Sequence, residues 1–184
     1  MKFEKRTFKN GLRAVVAPMK DTQATTLWVL FGTGSKYETK RLSGISHFLE
    51  HLFYKGTKSR PRPDQIAREL DRIGAQKNAF TSKEYTGYYV KAAAKHFDVG
   101  LDVVSDILLE PLFKKEEIEK ERGVILQEIA MYEDNPQRQA YDLFEDLMYG
   151  DQPAGWDTAG IPETVNNIKR DDILKYKNSH YLTS

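Results

Sequence analysis

The chain has 184 residues, with 28 Lys and Arg against 27 Asp and Glu, a net charge of +1 and no cysteine. That length suits one sizeable core, and the charge balance gives no support for binding nucleic acid or an anionic membrane. The lack of thiols excludes disulfides and thiolate metal sites, so any metal must be held by histidine and carboxylate ligands.

The first residues, Met1-Lys2-Phe3-Glu4-Lys5-Arg6, hold no apolar signal core, and no apolar run of about 18 residues follows. A cytoplasmic location and no membrane span are therefore expected. Between Thr7 and Val16, Asn10-Gly11 separates two candidate strands and predicts a hairpin. Residues 24–31, ATTLWVLF, read as a third strand, β-branched and apolar enough to be central in a sheet. Gly32-Thr33-Gly34-Ser35 breaks it; the rest of a phosphate-loop fingerprint is missing, so this is a turn. Ser43 is the expected N-cap of a helix that Gly56 terminates. A second helix is predicted over 63–73, with Pro63 in its first turn and Gly74 after its end. Residues 75–82 and 85–92 read as a hairpin around Lys83-Glu84. Beyond Lys95 the pattern turns helical, over 96–109, 115–132, 137–148 and 170–180, punctuated by Pro111, Pro136, Pro153 and Pro162. Strands followed by segregated helices predict an α+β fold, a mostly antiparallel sheet with helices packed on one face.

Within the first helix lies His47-Phe48-Leu49-Glu50-His51. Residues four apart share a helical face, so both imidazoles can reach one metal ion, and Glu50 borders that face. The order H-x-x-E-H is the inverse of H-E-x-x-H. Two histidines and a carboxylate are the parts needed to bind Zn²⁺ and deprotonate a water. The apolar flanks Ile45, Phe48, Leu49, Leu52 and Phe53 argue against a solvated face, and buried histidines need partners. His96 and His180 have no motif partner and read as surface or packing residues, as do Tyr85, Tyr88 and Tyr89 on a sheet face; the charge-rich run 114–122 reads as a solvated helix face.

A catalytic zinc site generally takes a third protein ligand. On the helix 115–132, Ile118, Ile125, Ile129 and Tyr132 form an apolar stripe, bordered by Glu121, Val124, Glu128 and Met131 at inward-facing spacing. A carboxylate at such a border is costly unless a cation compensates it. By spacing alone, Glu121 and Glu128 serve equally well as metal ligands or as boundary residues paired with Lys or Arg.

These residues carry a resemblance. Asn10-Gly11-Leu12, Gly32-Thr33-Gly34-Ser35, the run from Gly44 to His51, Phe53-Tyr54-Lys55-Gly56-Thr57, Asn78 to Glu84, the run from Glu121 to Ile129, and Gly160 beside Pro162 resemble the N-terminal catalytic domain of the M16 metallopeptidases, the pitrilysin and mitochondrial processing peptidase family, in its bacterial form. The resemblance implies one Zn²⁺ per chain on His47, His51 and Glu128, with Glu50 as general base and Glu121 as an acid supporting the site. It further implies that the strand containing Asn78, Ala79, Phe80 and Thr81 lies at a sheet edge and receives a peptide or unfolded protein substrate as an added strand, a mode suited to unpaired backbone groups.

Family members are about twice as long, and a second domain of similar fold closes over the first. The resemblance therefore implies that residues 1–184 form a single catalytic domain lacking a final strand and the homologous second domain, so that a second M16-like domain or chain, or a homodimer, is the expected partner. The expected function is zinc-dependent endopeptidase; the alternative is a zinc-containing peptide-binding module or non-catalytic subunit, inactive without the second domain.

Overall fold

The computed structural model describes residues 2–182. The last two residues of the segment expected to precede a further strand lie outside that range. Five strands and seven helices are described: β1 (Glu4–Thr7), β2 (Arg13–Val16), β3 (Ala24–Phe31), α1 (Ile45–Phe53), α2 (Pro63–Arg72), β4 (Gln76–Thr81), β5 (Thr86–Ala93), α3 (Phe97–Leu109), α4 (Lys115–Glu133), α5 (Pro136–Tyr149), α6 (Pro162–Asn167) and α7 (Arg170–His180).

All strand pairings are antiparallel. β1 and β2 form the expected hairpin, with Gly11 at φ 87° in its turn. They make their own two-stranded sheet, while the second sheet runs β3-β5-β4. The expectation that β3 is central is thus corrected. β5 takes that place, because two strands bond to it, and β3 alternates between exposed and half-buried residues along its whole length. Apolar content marked β3 as sheet-forming, but strand order depends on pairing partners that composition does not encode.

The helices cover one face of this sheet. β4 lies against α1 and α2, and α3 packs on β5. On the other face Trp28 stacks on Tyr89 at 4.7 Å and remains half exposed. α1 is the most enclosed element, held between β4 on one side and α4 and α7 on the other. Ile45, Phe48, Leu49, Leu52 and Phe53 are all at most 1% exposed. Each such side chain contributes about 1.5–3 kcal/mol on burial, so the sequence stretch that carries the two histidines also anchors the core.

The N-terminus of α1 departs from expectation. Ser43 does not cap it. The cap is Gly44, at φ 93°, a conformation that disfavours residues with a Cβ. The helix's first N–H groups are satisfied from a distance instead: the buried Glu38 carboxylate accepts from the N–H of Gly44 at 2.7 Å and of Ser46 at 2.8 Å. A carboxylate at a helix N-terminus also meets the positive end of the helix dipole. The turn at Gly34 is as expected, and it closes tightly on the β4–β5 loop: Ser35 N–H donates to Ser82 O at 3.0 Å, and a Cβ on Gly34 would sit 2.2 Å from that oxygen.

α6 was hidden in a segment where Pro162 reads only as punctuation. Pro162 opens it, and Arg122 holds it by donating to the carbonyls of Val165 and, at 2.9 Å, Ile168. Arg122 and Glu121 are therefore not part of a solvated face, unlike the exposed Glu116, Glu119 and Lys120. Neither helix spacing nor charge reveals that α6 lies over this end of α4.

Candidate metal centre

α1 presents His47 and His51 one turn apart, as the spacing requires. Their Nε2 atoms face each other at 3.2 Å. α4 crosses α1 and places the Glu128 Oε2 3.4 Å from the His51 Nε2 and 3.7 Å from the His47 Nε2. These three are the group of His and carboxylate donors able to share an ion among the described residues, their ligand atoms lying within 4.8 Å of one another. Around a tetrahedral ion with ligands at about 2.0–2.1 Å, neighbouring donor atoms sit roughly 3.3 Å apart, which is the spacing found here.

The donor chemistry fits as well. His51 Nδ1 lies 3.1 Å from Glu121 Oε2. With its proton on Nδ1, His51 turns the Nε2 lone pair toward His47 and Glu128, the arrangement a metal-binding histidine uses. Lone pairs of two imidazoles and a carboxylate aimed at one point repel unless a cation or a proton lies among them. The remaining nitrogen of His47, Nδ1, is buried with no partner.

The two glutamates left equivalent by spacing are thus told apart by the crossing of α4 over α1. Glu128 faces both Nε2 atoms; Glu121, two turns earlier, faces Nδ1 of His51. The bordering stripe is not uniformly inward: Glu121 is 5% exposed, whereas Val124 and Met131 face solvent.

Electrostatics separates the groups. Burial and the neighbouring His51 bring His47 down to about 4. Burial also lowers His51, but hydrogen bonds to Glu121 and Glu128 override it and lift it to about 9. The hydrogen bond with His51 outweighs burial and holds Glu128 down at about 2, assisted by the hydroxyl of Tyr132. Glu121 is shifted downward despite its burial, because His51 and Lys55 both donate to it. At neutral pH the pair therefore carries one proton beyond the N–H of each neutral imidazole, and it is His51, bonded to Glu121 and Glu128, that holds it.

Glu50 borders the cluster and is not part of the three-residue group. Burial raises its carboxyl, while the Thr81 hydroxyl, donating to its Oε2 at 2.7 Å, lowers it. Asn78, Ala79, Phe80 and Thr81 lie on β4, which pairs with β5 alone and so leaves one edge open among the described residues. Ala79 and Thr81 share the helix-facing side of the sheet with the buried Tyr88. Phe80 lies on the opposite side, edge-on to Trp28 at 5.7 Å. His96 and His180 stand away from the cluster, the latter stacked on Tyr176 at 3.9 Å.

Three contributors were missed in the sequence, and two had a signal. Lys55 Nζ holds Glu121 at 2.7 Å and stands four residues after His51. Tyr132 stands four residues after Glu128 and donates to it. Both follow the i, i+4 rule that found the histidines. Glu38 had no such signal, since its bonds to the helix start depend on the path of the loop before α1.

The fold and this cluster define an α+β domain in which two histidines and one carboxylate, brought together by crossed helices, could hold a metal ion. Residues 14–160 match the family model described as Insulinase (Peptidase family M16), and the chain belongs to that family. It is 41% identical over 175 residues to the uncharacterized zinc protease YmxG of Bacillus subtilis (strain 168), covering 95% of this chain and 42% of that one. It is 36% identical over 173 residues to the mitochondrial-processing peptidase subunit beta of Rattus norvegicus, covering 94% of this chain and 35% of that one. The structure of a protease from Helicobacter pylori superposes with a TM-score of 0.93 at 30% identity, over 99% of this chain and 44% of that one. The chain thus spans less than half the length of these relatives. An M16 inactive domain from Pseudomonas fluorescens shares the fold alone, with a TM-score of 0.88 at 13% identity over 96% of this chain and 43% of that one. Among the described residues no helix is long and apolar enough to cross a membrane.

Proposed function

We propose that this chain is the catalytic domain of a zinc-dependent endopeptidase, acting in the cytoplasm on peptides or unstructured protein segments. The observation that carries the proposal is the convergence of His47 Nε2, His51 Nε2 and Glu128 Oε2 beside Glu50. In this reading His47, His51 and Glu128 hold one Zn²⁺, and Glu121 fixes His51 as the Nδ1–H tautomer. When bound, zinc supplies Lewis acidity, acidifying water and polarising a carbonyl. Glu50 takes the proton from the attacking water and returns it to the leaving amine, and its raised pKa suits a group that must both accept and donate. The open edge of β4 at Asn78, Ala79, Phe80 and Thr81 receives the substrate backbone as an added strand.

The reading treats residues 1–184 as one catalytic domain that works with a second M16-like domain, in the same or another chain, or with a second copy. A second reading rests on the same cluster, since His47, His51 and Glu128 can hold an ion whether or not the chain turns over by itself. It is then a zinc-containing peptide-binding module that turns over only when the second domain is supplied. Zinc content by elemental analysis and cleavage of an unstructured peptide, with and without a candidate partner domain, test both. Cleavage without an added partner domain, lost in Glu50→Gln at full zinc content, supports the first reading. Cleavage only with the partner supports the second. No zinc at neutral pH overturns both.

A further inference from the structure

The hydrogen bond between Thr81 and Glu50 joins two parts that have separate roles in the proposed function, and the inference rests on that reading. Thr81 is the last residue of β4, paired with Thr86 of β5. The next pair is hydrogen-bonded, Ser82 N–H donating to Tyr85 O at 3.0 Å. In an antiparallel ladder bonded and non-bonded pairs alternate, so the N–H and C=O of Thr81 point away from β5 to the open edge. Ala79 follows the same alternation, and its N–H is met at 3.0 Å by the side chain of Asn78. Thr81's side chain turns the other way, to the helix-facing side, where Oγ1 donates to Glu50 Oε2 at 2.7 Å.

We propose that Thr81 is a positioning residue that sets Glu50 in register with the peptide docked on β4. Its backbone is on the edge that takes the substrate strand, and its hydroxyl holds the base. A single residue then fixes the distance between the bound backbone and the carboxylate that must reach the water. A β-branched side chain in a strand has few χ1 choices, so the hydroxyl direction follows the backbone. The bond to a carboxylate is charge-assisted and so is among the stronger kinds. Glu50 itself comes from α1, a separate element that packs against β4. Packing of α1 on β4 sets the two elements side by side, but the Thr81 bond is what fixes the direction of the carboxylate itself, and reacting groups misplaced by about 1 Å lose rate steeply.

The test compares Thr81→Val, which keeps shape and branching but removes the hydroxyl, with Thr81→Ser, which keeps the hydroxyl. On an unstructured peptide cleaved by the zinc-loaded protein, with its partner domain if cleavage requires one, Val lowers kcat by about 10–100-fold. KM and zinc content stay within roughly threefold of the parent, and Ser recovers most of the loss. A change in KM alone, an equal loss in both variants, or unchanged kcat in Val overturns the proposal. Crystal structures of the variants give a readout that needs no activity: Glu50 stays bonded to residue 81 in Ser and leaves that orientation in Val. If Glu50 keeps its place in Val, the positioning role is wrong. If the parent shows no cleavage under any condition, the peptidase reading fails, and the crystallographic comparison still decides the role of Thr81.

Discussion

Glu121→Gln isolates the support given to His51. The parent carboxylate is 5% exposed and takes two donors: its Oε2 lies 3.1 Å from His51 Nδ1, and its Oε1 lies 2.7 Å from Lys55 Nζ. An amide has one oxygen and one NH₂, so it accepts from one of these and turns a donor toward the other. A buried group left without its partner costs about 1–3 kcal/mol. The share that falls on the His51 tautomer appears as lost metal affinity, typically about 10–100-fold for such a supporting contact, or about 1.4–2.7 kcal/mol. The assay is a zinc titration against a chromophoric chelator at neutral pH, with parent, Glu121→Gln and Glu128→Gln side by side. Glu128→Gln alters a donor aimed at both Nε2 atoms and is expected to lose more. Unchanged affinity in Glu121→Gln, or a loss as large as in Glu128→Gln, refutes the division of roles between the two glutamates.

Three further outcomes are expected. His51, lifted to about 9, carries a proton in the zinc-free chain at neutral pH, so zinc must displace it. Affinity then rises with pH below 9, and calorimetry in buffers of different ionisation enthalpy gives about one proton released per zinc; a count near zero contradicts the assignment. Burial raises Glu38 from 4.5 to about 7 against the pull of its N–H donors. The folded state therefore holds this proton more tightly than the unfolded one, its contribution is full below pH 4.5, and about 3 kcal/mol of stability is lost as pH rises through 7. Urea unfolding of Glu38→Gln across that window should show a flatter slope than the parent, and equal slopes would count against it. Gly44→Ala forces a Cβ to 2.5 Å from Ala159 O at φ 93°, so α1 must shift at its start. A stability loss of about 1–3 kcal/mol is expected by denaturant titration, and a parental midpoint removes the strain argument.

The parts governed by local rules were legible in the amino-acid sequence. Helical repeat placed His47 and His51 on one face, and the same repeat carried Lys55 and Tyr132 unnoticed. Alternation and turn chemistry marked β1, β2, β4 and β5, and the long helices agree with expectation to within a residue at either end. The matched family adds the α+β architecture, which the described elements share. What the tertiary structure alone decided lies between elements. Seven residues put Glu121 and Glu128 on the same side of α4, and no intrahelical rule separates them; only the crossing with α1 gives one to Nε2 and the other to Nδ1. The edge position of β3, the capping of α1 by Glu38 and the bond from Thr81 to Glu50 have the same origin. Each is a contact between segments distant in the chain or joined by an irregular loop. Backbone periodicity fixes which way a side chain points from its own element, and packing fixes what it meets there.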